Sequence, residues 1–235
     1  LTGKKNVHAA AHAFAEMGPP DWSPFARRWC TRLKRRPAAS CAEGNGLIDA
    51  AVIDRAVSVL EGGGIVAFPT ETCYGLAVDP LNDRALERLF AVKHRPVDKP
   101  VLLLIHDLAL LGSLVTAVPA VYSPLIARHW PGPLTLIFPA RPGLPSLLTG
   151  GTGTIGVRIS PHPIAQALGR AFGRAITATS ANLSDQPSAC TAAEVRACLG
   201  GAIDLIVDGG TTPTSRCSTI IGERSGVLHL VRSGV

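Results

Sequence analysis

A change of pattern near residue 47 constrains the fold more than any other feature of the chain. From there, segments of helical period alternate with short apolar runs, and glycine or proline marks most of the joins. Apolar residues at 48, 52, 56, 59 and 60 follow a helical spacing, and Gly62-Gly63-Gly64 stops that helix. Residues 65–68 read as a short buried strand ending at Pro69. Asn82 caps a predicted helix running to about His94, with Ala85, Leu86, Leu89 and Phe90 facing inward. Further strands are predicted at 101–105, 134–138, 155–159, 175–178, 204–207, 218–221 and 227–231. Helical stretches are predicted at 106–130, broken near Pro119, and at 161–172, and Thr191 with Glu194 forms the capping box of a short one. Interleaved helices and strands define an α/β layer structure, and the closing run of strands implies a mixed sheet, parallel and antiparallel, with flanking helices.

The chain has 235 residues, 46% of them hydrophobic, enough to bury a core without covalent staples. Its longest apolar run, 101–105, is far short of the roughly 20 residues that span a bilayer, so no membrane role is expected. No apolar stretch near the N-terminus resembles a secretory signal. The cysteines at 30, 41, 73, 190, 198 and 217 form no C-x-x-C pair. Reduced thiols in the cytoplasm are therefore expected, with no structural zinc and no protein-held metal site.

The net charge of +6 is uneven: residues 1–46 carry +5 and residues 47–235 only +1. The run from Arg27 to Arg36 reads as a solvated, flexible tail, alternatively as an arm for a phosphate backbone or an organellar presequence. His8 and His12 share a face if that stretch is helical, and read as exposed. The expected domains are thus a basic extension, 1–46, and an α/β domain, 47–235.

Gly151-Thr-Gly153-Thr-Ile-Gly156 matches the dinucleotide fingerprint as a string, but it precedes a predicted strand where the fingerprint must follow one and open a helix. There is no Walker A string. Lys93-His94-Arg95-Pro96-Val97-Asp98-Lys99-Pro100 places cations at a helix exit and in a proline-stiffened loop, an arrangement suited to triphosphate. Lys93 and Arg95 are expected to leave the helix end rather than enter the core. Thr177 to Ser184 follows a strand and supplies short polar donors at a usual ligand position of α/β folds.

These two segments occur in order with Pro69-Thr70-Glu71-Thr72-Cys73-Tyr74-Gly75-Leu76 and Trp130-Pro131-Gly132-Pro133-Leu134-Thr135. The ordered set, ending at Leu230-Val231-Arg232-Ser233-Gly234, resembles the YrdC-like family of threonylcarbamoyl-AMP synthases over about residues 47–234. The resemblance implies a twisted, mixed, open sheet with a concave electropositive cavity, in the short form without the extra C-terminal domain of longer members. It implies a catalytic tetrad at Lys93, Arg95, Ser180 and Asn182. Thr72, Arg158 and Ser180 would then bind threonine, and Arg95, Lys99, Thr154, Asn182 and Ser218 would bind ATP. Leu104, Asp185 and Cys217 depart from the usual residues, a histidine, a glycine and an acid.

The implied enzyme is a nucleotidyltransferase using L-threonine, bicarbonate and ATP with Mg²⁺. Its products would be pyrophosphate and threonylcarbamoyl-AMP, the latter destined for N6-threonylcarbamoyladenosine of tRNA through a tRNA threonylcarbamoyl-transfer complex. No Ser-His-Asp or Cys-His constellation calls for a covalent enzyme intermediate. The rival readings are a non-catalytic module for double-stranded RNA or tRNA, and a domain forming carbamoyl-adenylate from carbamoyl phosphate.

Overall fold

The computed structural model describes residues 49–235. The expectations for residues 1–46, including His8, His12, Cys30 and Cys41, lie outside the described residues. Helix α1 (Ala50–Glu61) begins where the Asp49 carboxylate accepts the Ala51 N–H at 2.9 Å. It ends at Gly62, and Gly63 at φ +79° makes the turn that the triple glycine foretold. The chain then enters β1 (Val66–Phe68) and returns through β2 (Gly75–Ala77) as an antiparallel pair.

Asn82 caps α2 (Asp83–Lys93) by accepting the Ala85 N–H, as its side chain and position predict. After β3 (Leu103–Leu104), the expected long helix over 106–130 is instead a chain of short turns, with α3 (Leu111–Leu114) and α4 (Ser123–His129) the helical pieces. Pro119 and Pro124 remove donors that a continuous helix needs. The remaining elements are β4 (Leu134–Pro139), α5 (Ser146–Thr149), β5 (Thr154–Arg158), α6 (Pro163–Phe172), β6 (Ile176–Thr177) and β7 (Thr179–Ser180). They are followed by α7 (Ala192–Leu199), β8 (Leu205–Ile206), β9 (Thr219–Arg224) and β10 (Val227–Arg232). The Gly-rich string 151–156 does run into a strand, β5, and not into a helix.

The architecture is α/β with mixed pairing, divided into two sheets of order β7-β2-β1-β8 and β10-β9-β4-β5-β3-β6. Parallel pairs (β1–β8, β3–β5, β4–β9) occur in both sheets, and in the six-stranded one they alternate with antiparallel pairs. The predicted strand 175–178 explains the division. Its backbone passes from one sheet to the other at Ala178, whose N–H bonds Leu102 O at 2.7 Å, while the Thr177 hydroxyl accepts Val78 N–H and donates to Leu76 O.

The α1–α6 pair covers one side, with Ile53, Ala56 and Leu60 meeting Leu168, Phe172 and Ile176. On the other side, Leu86 and Leu89 of α2 join Tyr74, Trp130, Leu136 and Phe138. Among the described residues no helix is long and apolar enough to cross a membrane.

Candidate active site

Where the two sheets meet, a cavity of about 190 Å³ opens between the loop before β2, strand β5, strand β7 and the ends of β9 and β10. Among the described residues its charged side chains are Arg95, Arg158 and Arg232, with no Asp or Glu. Hydroxyls of Thr70, Thr72, Thr154, Ser180 and Ser218 also face it. Such a lining selects an anion.

The Thr70–Cys73 turn sets the hydroxyl chemistry. Thr70 Oγ1 donates to Cys73 O at 2.7 Å and accepts the Thr72 N–H at 3.2 Å. Its single proton is therefore committed, so in the 2.9 Å contact with Thr72 Oγ1 the Thr72 hydroxyl is the donor. Thr72, only 2% exposed, thus has lone pairs free to accept a hydrogen bond from a group in the cavity. Arg158 is anchored by the Glu71 carboxylate, which also accepts from Ser160 Oγ, and both members of this ion pair are largely buried.

Two further guanidinium groups are held by backbone carbonyls. Arg95 donates to Lys99 O (3.1 Å) and Pro100 O (2.8 Å), and Arg232 donates to Ser218 O (2.9 and 3.2 Å). Burial, and then the nearby Arg232, push the Arg95 pKa below the usual arginine value, with Asp185 acting in the opposite direction. An incoming anion relieves that repulsion. Ser218 is fixed by a 2.8 Å hydroxyl contact with Thr135 of the Trp-Pro-Gly-Pro-Leu-Thr motif. Otherwise this motif is structural: Trp130 is buried and donates Nε1 to Leu134 O at 2.6 Å.

Thr72, Arg95, Thr154, Arg158, Ser180 and Ser218 thus come together as expected. Lys93, Asn182 and Lys99 do not line the cavity. The expectation that Lys93 leaves the helix end is corrected: its side chain is 1% exposed and its ammonium donates to Ser180 O at 2.5 Å and Asn182 O at 2.6 Å. It lies under the Ser180–Asn182 segment and holds it, because residue 93 falls on the same helical stripe as Leu86 and Leu89. Burial first, and Arg95 second, push its pKa down to about 8. Asn182 turns its amide to Leu183 O and Gln186 O at 2.8 and 2.6 Å, so it shapes the same loop.

Lys99 lies outside the cavity at 3.7 Å from Asp185, with both side chains exposed. Asp185 has φ +67°, a left-handed backbone that accounts for a glycine being usual there. Leu104 packs into the core beneath α1 and α6 and does not line the cavity.

Sequence reasoning gave no role to Glu71, Cys73, Cys217 or Arg232. Arg232 lay inside the quoted closing motif and was its only cation. Glu71 needs a long-range contact, to Arg158, that no local pattern carries, and Cys73 and Cys217 reach the cavity only through the fold.

An α/β domain whose mixed sheets close on a hydroxyl- and arginine-lined anion cavity is YrdC-like in class. The Sua5/YciO/YrdC family model, described as "Telomere recombination", matches residues 58–234, and the chain belongs to that family. A relative named threonylcarbamoyl-AMP synthase, from Vibrio cholerae, is 41% identical over 184 residues, covering 77% of this chain and 97% of the relative. The crystal structure of P. abyssi Sua5 complexed with L-threonine superposes with a TM-score of 0.75 at 39% identity, over 77% of this chain and 54% of that one. The crystal structure of E. coli YciO superposes at 0.72 with 28% identity, over 79% and 90%.

Proposed function

We propose that residues 47–235 form an L-threonylcarbamoyladenylate synthase, a nucleotidyltransferase that consumes L-threonine, bicarbonate and ATP. The observation that carries this reading is the cavity that joins an acceptor hydroxyl, Thr72, to three fixed guanidinium groups, with no carboxylate among the described residues that line it. The relatives' shared name, threonylcarbamoyl-AMP synthase, supports it.

Threonine's amine takes up the bicarbonate carbon, with loss of water, to give a carbamate. A carbamate oxygen then attacks the α-phosphorus of ATP, and pyrophosphate leaves. Thr72 accepts from the amino acid's hydroxyl or ammonium, and Arg158 pairs with its carboxylate. Arg95 and Arg232 take the phosphate oxygens, with Thr154, Ser180 and Ser218 donating hydrogen bonds. Because Glu71 and backbone carbonyls fix the guanidinium groups beforehand, little reorganisation accompanies the transfer of charge to pyrophosphate.

Among the described residues no group of three or more His, Cys, Asp or Glu side chains gathers to hold a metal. Mg²⁺ would accompany ATP as part of the substrate and would supply neutralising charge for the leaving group beside Arg95 and Arg232. Lys93 and Asn182 act through the loop they hold rather than by touching phosphate. The product is a labile mixed anhydride, which fits transfer to a tRNA-modifying partner in the cytoplasm.

Pyrophosphate release that requires both L-threonine and bicarbonate is the expected result. Release driven by carbamoyl phosphate would replace this reading with carbamoyl-adenylate formation, and tRNA binding without any release would replace it with a non-catalytic RNA module.

A further inference from the structure

A second cavity, of about 240 Å³, opens at the other end of the strands that frame the first. Strand β2 begins at Gly75 in the catalytic cavity, and Asp79, two residues past its end, lines the second. Ala175, just before β6, also lines the second, whereas Ala178 and Ser180 line the first. Among the described residues the two cavities share no lining side chain.

Its walls are Pro80, Leu81, Leu110, Leu114, Leu144 and Ala175, so the interior is apolar. Ser113 lines it too, but its hydroxyl donates to Leu110 O at 2.8 Å. The charged lining groups among the described residues are Asp79 and Arg174, 3.2 Å apart. Asp79, largely buried, is spent: Oδ1 accepts the Leu81 N–H at 3.0 Å, and Oδ2 faces Arg174 Nη1. Arg174 is half exposed, and among the described residues no other acceptor bonds its guanidinium. The group also lies 4.4 Å from the Phe172 ring centroid, a stacking that fixes its plane.

We propose that this cavity is a second ligand site, for a small carboxylic acid with a compact apolar body. The leucine and proline walls take the body by removing it from water. The remaining guanidinium N–H groups of Arg174 take the carboxylate, whose two oxygens match that planar fork. An amine head would instead compete with Arg174 and the Leu81 N–H for Asp79.

Volume sets the size of the ligand. An apolar cavity of about 150 Å³ accepts benzene, while drug-sized ligands need roughly 300 Å³ or more. The second cavity falls between these limits. It suits one ring on a short chain, or a branched aliphatic chain of similar bulk.

The test titrates the full chain with 3-phenylpropionate and follows the backbone amides by NMR. A Kd below about 1 mM is expected, with shifts centred on Leu110, Ser113, Leu114 and Ala175. 3-Phenylpropionamide keeps the shape without the charge, and 3-phenylpropylamine reverses the charge; each should bind at least about tenfold more weakly. Arg174→Gln should weaken the acid by about tenfold and leave the amide within about twofold. Ser113→Leu, which fills the cavity from an exposed position, should abolish binding in a chain that melts as the parent does. Any of four results would overturn the proposal: no shift at about 5 mM probe, acid and amide bound equally, either variant binding the acid as the parent does, or shifts centred on Thr72, Thr154 and Ser218 instead. The last would place the carboxylate in the catalytic cavity. Binding at the second cavity is read without turnover, so its failure and that of the synthase reading are separate results.

Discussion

Replacing Lys93 by methionine removes a buried charge while keeping the length of the side chain, and so separates its effect on the fold from its effect on the site. The ammonium is 1% exposed, and burial with Arg95 nearby lowers its pKa from 10.5 to about 8, an opposition of about 3 kcal/mol to the charged form. Against this stand bonds to Ser180 O and Asn182 O, each worth about 1.5–3 kcal/mol when the donor is charged. The two sides nearly cancel, so Lys93→Met should change global stability by no more than about 2 kcal/mol, a shift of several degrees in Tm. Alanine adds the cavity left by the missing methylenes and should cost about 2–5 kcal/mol.

Catalysis responds differently, because methionine cannot hold the Ser180–Asn182 segment against the cavity. A loss of about 100-fold in kcat/KM for pyrophosphate release is expected, in a chain that melts cooperatively near the parent temperature. The pH dependence gives a second reading. Lys93 loses its proton near pH 8 in the fold and near 10.5 when unfolded, so between these values the unfolded chain binds more protons. The Lys93 contribution to stability therefore rises with pH across that window, while activity falls as charge-assisted bonds become neutral ones. Both trends should vanish in Lys93→Met. A methionine variant with kcat/KM within about twofold of the parent, and the parent's alkaline limb, would refute the argument.

Other perturbations address separate parts of the site. Arg95→Ala, which removes a guanidinium fixed by Lys99 O and Pro100 O, should lower pyrophosphate release by about 100-fold with circular dichroism unchanged. Glu71→Gln leaves the buried Arg158 without its counter-charge and should cost about 3 kcal/mol in urea unfolding, together with a raised KM for threonine. Valine in place of threonine strands the Thr72 acceptor and should lose about 1–3 kcal/mol of discrimination, read as pyrophosphate release at subsaturating amino acid. A chain beginning at Gly46 should keep threonine-dependent turnover, and any lost tRNA affinity should be the salt-sensitive part; loss of turnover would place the domain boundary earlier.

Local chemistry made part of the fold legible in the sequence. The caps at Asn82 and Thr191 were readable because their bonds, to Ala85 N–H and Glu194 N–H, lie within one helical turn. The strands expected at 101–105 and 175–178 form, but Gly75–Ala77 and Thr179–Ser180 are too short to show alternation, and the passage between sheets at Ala178 depends on Leu102, far away in sequence. Lys93 is the instructive failure. The stripe of Leu86, Leu89 and Phe90 already pointed position 93 inward, but the charge of the residue suggested a surface loop. Helical phase was the stronger signal, since a long aliphatic stem with two carbonyl acceptors can be buried.

The departures at positions 104, 185 and 217 differ in how they bear on the site. Leu104 contributes only apolar packing beneath α1 and α6, so the cavity is built without it. Asp185 holds a left-handed backbone that costs a non-glycine residue about 1–2 kcal/mol. Its pairing with Lys99 is exposed on both sides and offsets little of that. Its charge does reach Arg95, where it opposes the effects of burial and of Arg232. Cys217 lies in the lining itself, on the same cavity as Arg158 and Arg232. Asp185 thus acts through its charge on an arginine that would take phosphate, while Cys217 brings a thiol to the lining.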